Sequence, residues 1–220
     1  MSGERKSPAA GEVHVWRVEL PAEDRRGAAR RALAAILAAH LGGAAEAELG
    51  VDENGKPRLA RAPGRLSFNL SHSGGLALVA IAPGGVEVGV DVERLRPRRD
   101  PVRLAARWLP AADAAAVASA PEAEREWVFH AAWTRHEARV KCAGTGLAGR
   151  APGREVVAWQ LPIDAGYAAA VALDYGCVRP CVIWTNARQE GFALKPLPDL
   201  KKPTESQNAH DSGRSFQENQ

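Results

Sequence analysis

The sequence predicts an α+β fold, and three observations carry that prediction. Strand-like and helical runs are mixed without strict alternation, which argues against a doubly wound parallel sheet. The 220 residues, 45% of them hydrophobic, can bury a sizeable core as one domain or two small ones. The apolar run at residues 76–81 has a counterpart at 168–173, so the chain reads as two similar halves with little identity between them.

Residues 13–20 have strand composition, and Pro21 ends them. Over residues 22–41, Ala29, Leu33, Ile36, Leu37 and Leu41 recur with helical period, and Gly42 and Gly43 supply the stop. Arg25, Arg26, Arg30 and Arg31 crowd the first half of that helix, where positive charge opposes the macrodipole. On this helix alone a solvated charged face is the simpler account of them, and an anionic ligand is the alternative. Residues 52–57 form a turn by composition, with Lys56 on it. Residues 66–70 and 76–81 are strands joined through Ser71-His72-Ser73-Gly74-Gly75. Two hydroxyls, an imidazole and two glycines let an anion approach closely; a plain hairpin connection with capping serines is the simpler alternative.

Pro83-Gly84-Gly85 turns into a further strand, where Val86, Val88, Val90 and Val92 alternate with Glu87, Gly89, Asp91 and Glu93. Period 2 puts the valines on a core face and the acids on the other. Asp91 and Glu93 are then same-face neighbours whose charges repel unless water, arginine or a divalent cation intervenes. Arg94, Arg96, Arg98 and Arg99 follow directly, so arginine is at hand. Were a metal present, oxygen-only ligands would suit Mg²⁺ or Mn²⁺ rather than zinc.

Residues 101–119 are helical and alanine-rich, with a break at Pro110; Pro121 then opens a long helix that Gly144 closes. On it His130, Trp133, Glu137 and Lys141 fall along one stripe, and Trp127, Ala131, Ala138 and Cys142 along a neighbouring apolar one. A Glu four residues before a Lys is commonly a surface pair worth about 0.3–0.5 kcal/mol, so alone the stripe fits a solvated face. Strand-like runs at 155–161, 166–173 and 177–184 complete the fold. The tail from residue 195, rich in Lys, Pro, Ser, Asn and Gln, is expected to be disordered.

Composition excludes several classes. A net charge of +3 and a pI near 8.9 fall far short of a dedicated nucleic-acid binder. Cys142, Cys177 and Cys181 are odd in number and form no Cys-x-x-Cys pair, against a disulfide framework or zinc ribbon, so a reducing cytoplasm fits. Residues 1–11 are polar and no run of 18 apolar residues occurs, so neither secretion nor membrane spanning is expected.

Three motifs in order, Asn69-Leu70-Ser71-His72-Ser73, Gly89-Val90-Asp91-Val92-Glu93 and residues 133–141 followed by Gly144-Thr145-Gly146-Leu147, resemble the 4'-phosphopantetheinyl transferase family. The similarity runs from about residue 13 to 184 and is to the larger, single-chain branch that activates fatty-acid, polyketide and nonribosomal-peptide synthases. The resemblance implies two similar subdomains, 1–85 and 86–194, related by a pseudo-twofold. Each would be a small, mainly antiparallel sheet packed on helices, with coenzyme A in the cleft between them. It implies that Asp91, Glu93 and Glu137 hold Mg²⁺ (Mn²⁺ being possible) and that Lys141 contacts phosphate near the scissile bond. It implies further that Ser71 and His72 meet the coenzyme's phosphates, His72 on the 3'-phosphate, that Lys56 and Pro57 lie at the adenosine end, and that Arg31 contacts the nucleotide. On the same resemblance, Arg25 and Arg26 would stand in for basic residues that the family carries somewhat earlier.

The implied reaction moves 4'-phosphopantetheine from coenzyme A to a serine of an apo acyl or peptidyl carrier protein and releases adenosine 3',5'-bisphosphate. Catalysis would fall to Asp91, Glu137 and Lys141, with Glu137 as base directly or through a water. The expected protein is a cytoplasmic monomer whose partners are coenzyme A and carriers, not nucleic acid or membrane. Arg94, Arg96, Arg98, Arg99, Arg103 and Arg107 would steer acidic carriers. The sequence departs from the family in two places: His136 replaces the usual Lys before the helix glutamate, and the segment before Arg25 is short. These departures motivate the alternative, a non-catalytic coenzyme A binding or carrier-docking homologue. A metal-dependent nuclease lacks support, because no aromatic interleaving accompanies the basic loops.

Overall fold

The structure is a computed structural model and describes residues 7–43, 47–51, 56–61, 64–144, 155–174, 181–187 and 195–196. It is α+β, with small sheets and, among the described residues, four helices, as the mixed pattern of runs predicts.

Strands β1 (Glu12–Glu19), β4 (Leu66–Ser73) and β5 (Leu76–Pro83) form the body of a five-stranded sheet completed by β9 (Cys181–Ala187) and β10 (Lys195–Pro196), in the order β10-β9-β1-β5-β4. Its central strands alternate between two cores. Trp16, Val18, Ala77, Val79 and Ile81 face one side, where Leu33, Ile36 and Leu37 of helix α1 (Arg25–Leu41) cover them. Val13, Val15, Leu76, Leu78 and Ala80 face the other, where Val88, Val90 and Val92 of β6 (Val88–Arg94) meet them. Both faces of β5 are therefore sealed, and each fully buried Leu, Ile or Val contributes about 1.5–3 kcal/mol.

The second sheet has the order β6-β8-β7, all antiparallel, from β6, β7 (Val157–Leu161) and β8 (Tyr167–Leu173). One face of it packs on the first sheet. On the other, Ala170 and Ala172 lie against Ala138 and Cys142 of helix α4 (Glu122–Ala143). The layers thus run α1, first sheet, second sheet, α4. The break at Pro110 separates α2 (Pro101–Trp108) from α3 (Ala111–Ser119), and both pack on Phe129 and Ala132 of α4.

Several boundaries differ from the sequence reading for identifiable reasons. Helix α1 starts at Arg25, not at residue 22, because Asp24 caps it in a left-handed conformation (φ 52°) and accepts from Gly27 N at 3.0 Å. Residues 71–73 are not a connection; they belong to β4, and only Gly74 and Gly75 turn. A short hairpin, β2 (Leu49–Val51) with β3 (Pro57–Leu59), flanks what reads as a simple turn; residues 52–55 lie outside the described residues. Strand β9 (Cys181–Ala187) lies parallel to β1, so a C-terminal strand enters the first sheet, and β10 (Lys195–Pro196) pairs with it. Residues 145–147 of the third motif, 177–180 of the last expected strand and the tail beyond 196 lie outside the described residues. Among the described residues no helix is long and apolar enough to cross a membrane.

Candidate functional site

Strand β6 presents its valines to the core, so Asp91 and Glu93 must face the opposite side, under α4. Gly89 makes that approach possible. A β-carbon there would stand 2.1 Å from Ala138 O and 2.5 Å from Cys142 N, so the α4 backbone rests on β6 itself. This close contact brings Glu137 and Lys141, one helical turn apart, over the two acids.

Lys141 Nζ donates to Asp91 Oδ1 at 2.6 Å and to Ser71 Oγ at 3.0 Å. Ser71 in turn donates to Asp91 Oδ1 at 2.8 Å. Asp91 is 3% exposed, and its Oδ2 is buried with no hydrogen-bond partner among the described residues. Burial and the Asp91 carboxylate push the Glu137 carboxyl above its ordinary value; Lys141 offsets part of this and Glu93 adds to it. Glu137 therefore feels both acids of β6, although the segments are far apart in sequence.

Beside this cluster lies a cavity of about 540 Å³ lined by Arg26, Arg30, Leu33, Pro57, Phe68, Asn69, Leu70, Ser71, His72 and Lys141. Arg26, Arg30 and Leu33 share one face of α1 at spacings of four and three. The walls mix cationic and hydrogen-bonding side chains with apolar ones, which suits a phosphate-bearing ligand that also has an apolar part.

Of the residues singled out in the sequence, Arg26, Arg30, Ser71, His72, Pro57 and Lys141 line the cavity and Asp91 adjoins it through Lys141. Arg31 is not on the cavity wall; its guanidinium pairs with Asp24 at 2.9 Å on the exposed side of α1. Lys56 is not there either. It is 8% exposed, and its Nζ lies 2.6 Å from Glu87 Oε2 and 3.4 Å from Cys142 O, joining the β2–β3 hairpin to the start of β6 and the end of α4. His136 is half-buried near the Trp133 ring, and burial, with Arg139, lowers its pKa. His130, at the start of the expected stripe, is fully buried against Arg96 O and Glu126, a packing role. Burial pushes the Cys142 thiol up to about 12, which leaves it inert.

The sequence names Arg30 only within the basic cluster of α1, Asn69 only as a member of its motif and Ser73 only as a hydroxyl of a candidate anion loop; the signal for their separate roles is the polar alternation Ser67, Asn69, Ser71, Ser73 opposite Leu66, Phe68 and Leu70, which gives β4 a second, polar face. No three His, Cys, Asp or Glu side chains among the described residues stand together as a ready-made metal cage. Mg²⁺ does not demand one, since it is usually held by one or two carboxylates with substrate phosphates and water completing an octahedron. The orphaned Asp91 Oδ2, the neighbouring carboxyls and the all-oxygen donor set fit such an ion.

Residues 87–173, which hold β6, α4 and β8, match the model of the 4'-phosphopantetheinyl transferase superfamily. The 4'-phosphopantetheinyl transferase HetI of Nostoc sp. is 32% identical over 168 residues, covering 62% of this chain and 70% of HetI. The 4'-phosphopantetheinyl transferase psf-1 of Bacillus pumilus is 33% identical over 94 residues, covering 43% of this chain and 38% of psf-1. With the motif carboxylates and lysine gathered beside a cationic cavity, and HetI matched over more than two thirds of its length, the chain belongs to the 4'-phosphopantetheinyl transferase superfamily.

Proposed function

We propose that the protein transfers 4'-phosphopantetheine from coenzyme A to a serine of an apo carrier protein, with Mg²⁺ or Mn²⁺ held at Asp91, Glu93 and Glu137. The observation that supports this most is the Lys141–Asp91–Ser71 cluster opening onto a cavity lined by Arg26, Arg30 and His72. Arg26, Arg30 and His72 bind the phosphates of the nucleotide end, and Pro57 and Leu33 offer apolar surface. The carrier's serine oxygen bonds to the phosphorus bearing the pantetheine arm. The bridging P–O bond of the pyrophosphate breaks, and adenosine 3',5'-bisphosphate leaves with the electron pair. Glu137, whose carboxyl is pushed up by burial and by Asp91, takes the serine proton directly or through a water. Lys141 turns from Asp91 to the leaving phosphate and offsets its charge. A bound divalent cation would supply Lewis-acid polarisation of the pyrophosphate.

The carrier is read from a second surface. Arg103 and Arg107, one turn apart on α2, and Arg99, just before its cap Asp100, line a groove of about 760 Å³ with Asp100, Leu104 and Trp108. The Arg107 guanidinium sits 5.0 Å over the Trp108 ring, and Trp108 is 42% exposed. A cationic row with an exposed indole fits an acidic, partly apolar helix, the chemistry expected of an acyl or peptidyl carrier.

The test is to incubate the protein with coenzyme A, Mg²⁺ and several apo carriers and to weigh the carriers by mass spectrometry. One carrier gains a single phosphopantetheine, and Asp91→Ala or Glu137→Gln abolishes the gain. Coenzyme A binding without modification of any carrier would favour the non-catalytic homologue.

A further inference from the structure

Strands β4 and β6 are the facing edges of two different sheets, and among the described residues no backbone ladder joins them. An edge strand leaves a row of N–H and C=O groups without partners. Here β4 runs beside β6 in the same direction and satisfies its amides with side chains. Asn69 Oδ1 accepts from Val90 N at 3.0 Å, Ser71 Oγ from Val92 N at 3.3 Å, and Ser73 Oγ from Arg94 N at 3.1 Å. Each rung advances two residues on both strands, so the spacing is that of the pleat itself.

The two hydroxyls also point their protons one residue back along β6. Ser71 donates to Asp91 Oδ1 at 2.8 Å and Ser73 to Glu93 Oε2 at 3.0 Å. A hydroxyl has one proton, so once its oxygen is placed by a backbone amide its remaining freedom is the direction of that proton, and the carboxylate fixes it. At the Asn69 rung the corresponding β6 residue is Gly89, which carries no side chain and admits the α4 backbone. The chain just past Ser73 is pinned as well. A β-carbon on Gly74 (φ 58°) would lie 3.0 Å from both Arg94 Cδ and Tyr167 Oη, and Tyr167 Oη accepts from Gly75 N at 3.3 Å.

We propose that Ser73 is a positioning residue for Glu93. By bridging Arg94 N and Glu93 Oε2 it holds that carboxylate in one orientation toward the divalent cation, as Ser71 does for Asp91. The ladder thereby ties closure of the seam between the two sheets to assembly of the cation site. This rests on the cation reading above.

The test counts free Mn²⁺ by electron paramagnetic resonance while the full-length protein is titrated in the presence of coenzyme A. Ser73→Ala raises the Mn²⁺ Kd about tenfold, the usual lower bound for losing a partner behind a ligand, and Ser73→Thr restores it to within about twofold. Coenzyme A binding without divalent cation is the same in both variants. In a Glu93→Gln background Ser73→Ala adds no further loss, because it acts through Glu93. If Ser73→Ala fails to fold, Ser73→Cys keeps the bulk, weakens the donor and carries the same expectation. An unchanged Mn²⁺ Kd in the alanine or cysteine variant overturns the assignment, as does a loss that persists undiminished in the Glu93→Gln background. Asp91→Asn separates the two levels. If it weakens Mn²⁺ binding while Ser73→Ala does not, only the role of Ser73 is wrong; if neither does, the cation site itself is wrong.

Discussion

Gly89 and Ala138 touch backbone to backbone: a β-carbon on the glycine would lie 2.1 Å from the carbonyl oxygen of the alanine. That contact sets the height of α4 above β6. It therefore sets whether Glu137 and Lys141 reach the acids beneath them, and it explains why a strand of alternating valines and acids has a glycine at this one place.

Gly89→Ala forces α4 away from β6, because backbone atoms cannot step aside as a flexible side chain can. The expected loss is about 1–3 kcal/mol or more in urea unfolding, the range for overpacking a close contact. Carrier modification should fall further than the lost stability explains, since Lys141 is carried off Asp91.

Asn69→Ala leaves the buried Val90 N–H without an acceptor. Stranding a buried donor costs about 1–3 kcal/mol. Urea unfolding should show this, and Asn69→Asp, which keeps an acceptor at the same place, should lose less.

Two adjacent arginines on α1 should behave differently. Arg30 lines the cavity, whereas Arg31 is spent on Asp24 at the surface. Arg30→Ala is expected to raise KM for coenzyme A about tenfold, the scale of one charge-assisted phosphate contact. Arg31→Ala should leave KM within about twofold and, because its pair with Asp24 is solvent-exposed, change stability little. Steady-state kinetics against coenzyme A checks both.

Acid stability should report on Glu87. Burial acts to raise its carboxyl, but hydrogen bonds from Lys56 and Arg58 outweigh it and hold the folded pKa below the ordinary 4.5. A group depressed in the folded state stabilises fully above its unfolded pKa, and that contribution disappears as pH falls through the folded value. Glu87→Gln should therefore lower Tm at pH 7, and the gap from wild type should narrow below pH 4.5. Parallel melting curves across that range check the sign.

Charge reversal at Arg99 and Arg103 should raise KM for the carrier at low salt and leave coenzyme A binding unchanged. An unchanged carrier KM would detach the α2 groove from carrier docking.

How much of this was legible depends on whether a residue's setting is local. The core face of β6 follows from period 2, and the extent of α4 follows from Pro121 and Gly144, because each is fixed by neighbours in sequence. The directions of Lys56 and Arg31 are not local. Lys56 is claimed by Glu87 and the carbonyl of Cys142, and Arg31 by its own helix cap, so a motif position could not say which way either side chain points. The Ser71 to Ser73 segment reads as a loop because it is polar and ends in two glycines. It is a strand because its backbone continues the ladder with β5, while β6 supplies the partners that its polar side chains need. The parallel entry of β9 beside β1 depends on a pairing between the two ends of the chain, which no local pattern encodes.

The most direct measurement is an anomalous difference map from crystals grown with coenzyme A and Mn²⁺. One peak is expected, within about 2.1 Å of oxygens from Asp91, Glu93 and Glu137 and touching the pyrophosphate. A coenzyme A bound in the cavity with no peak at those three carboxylates, or a peak held by other side chains, would contradict it.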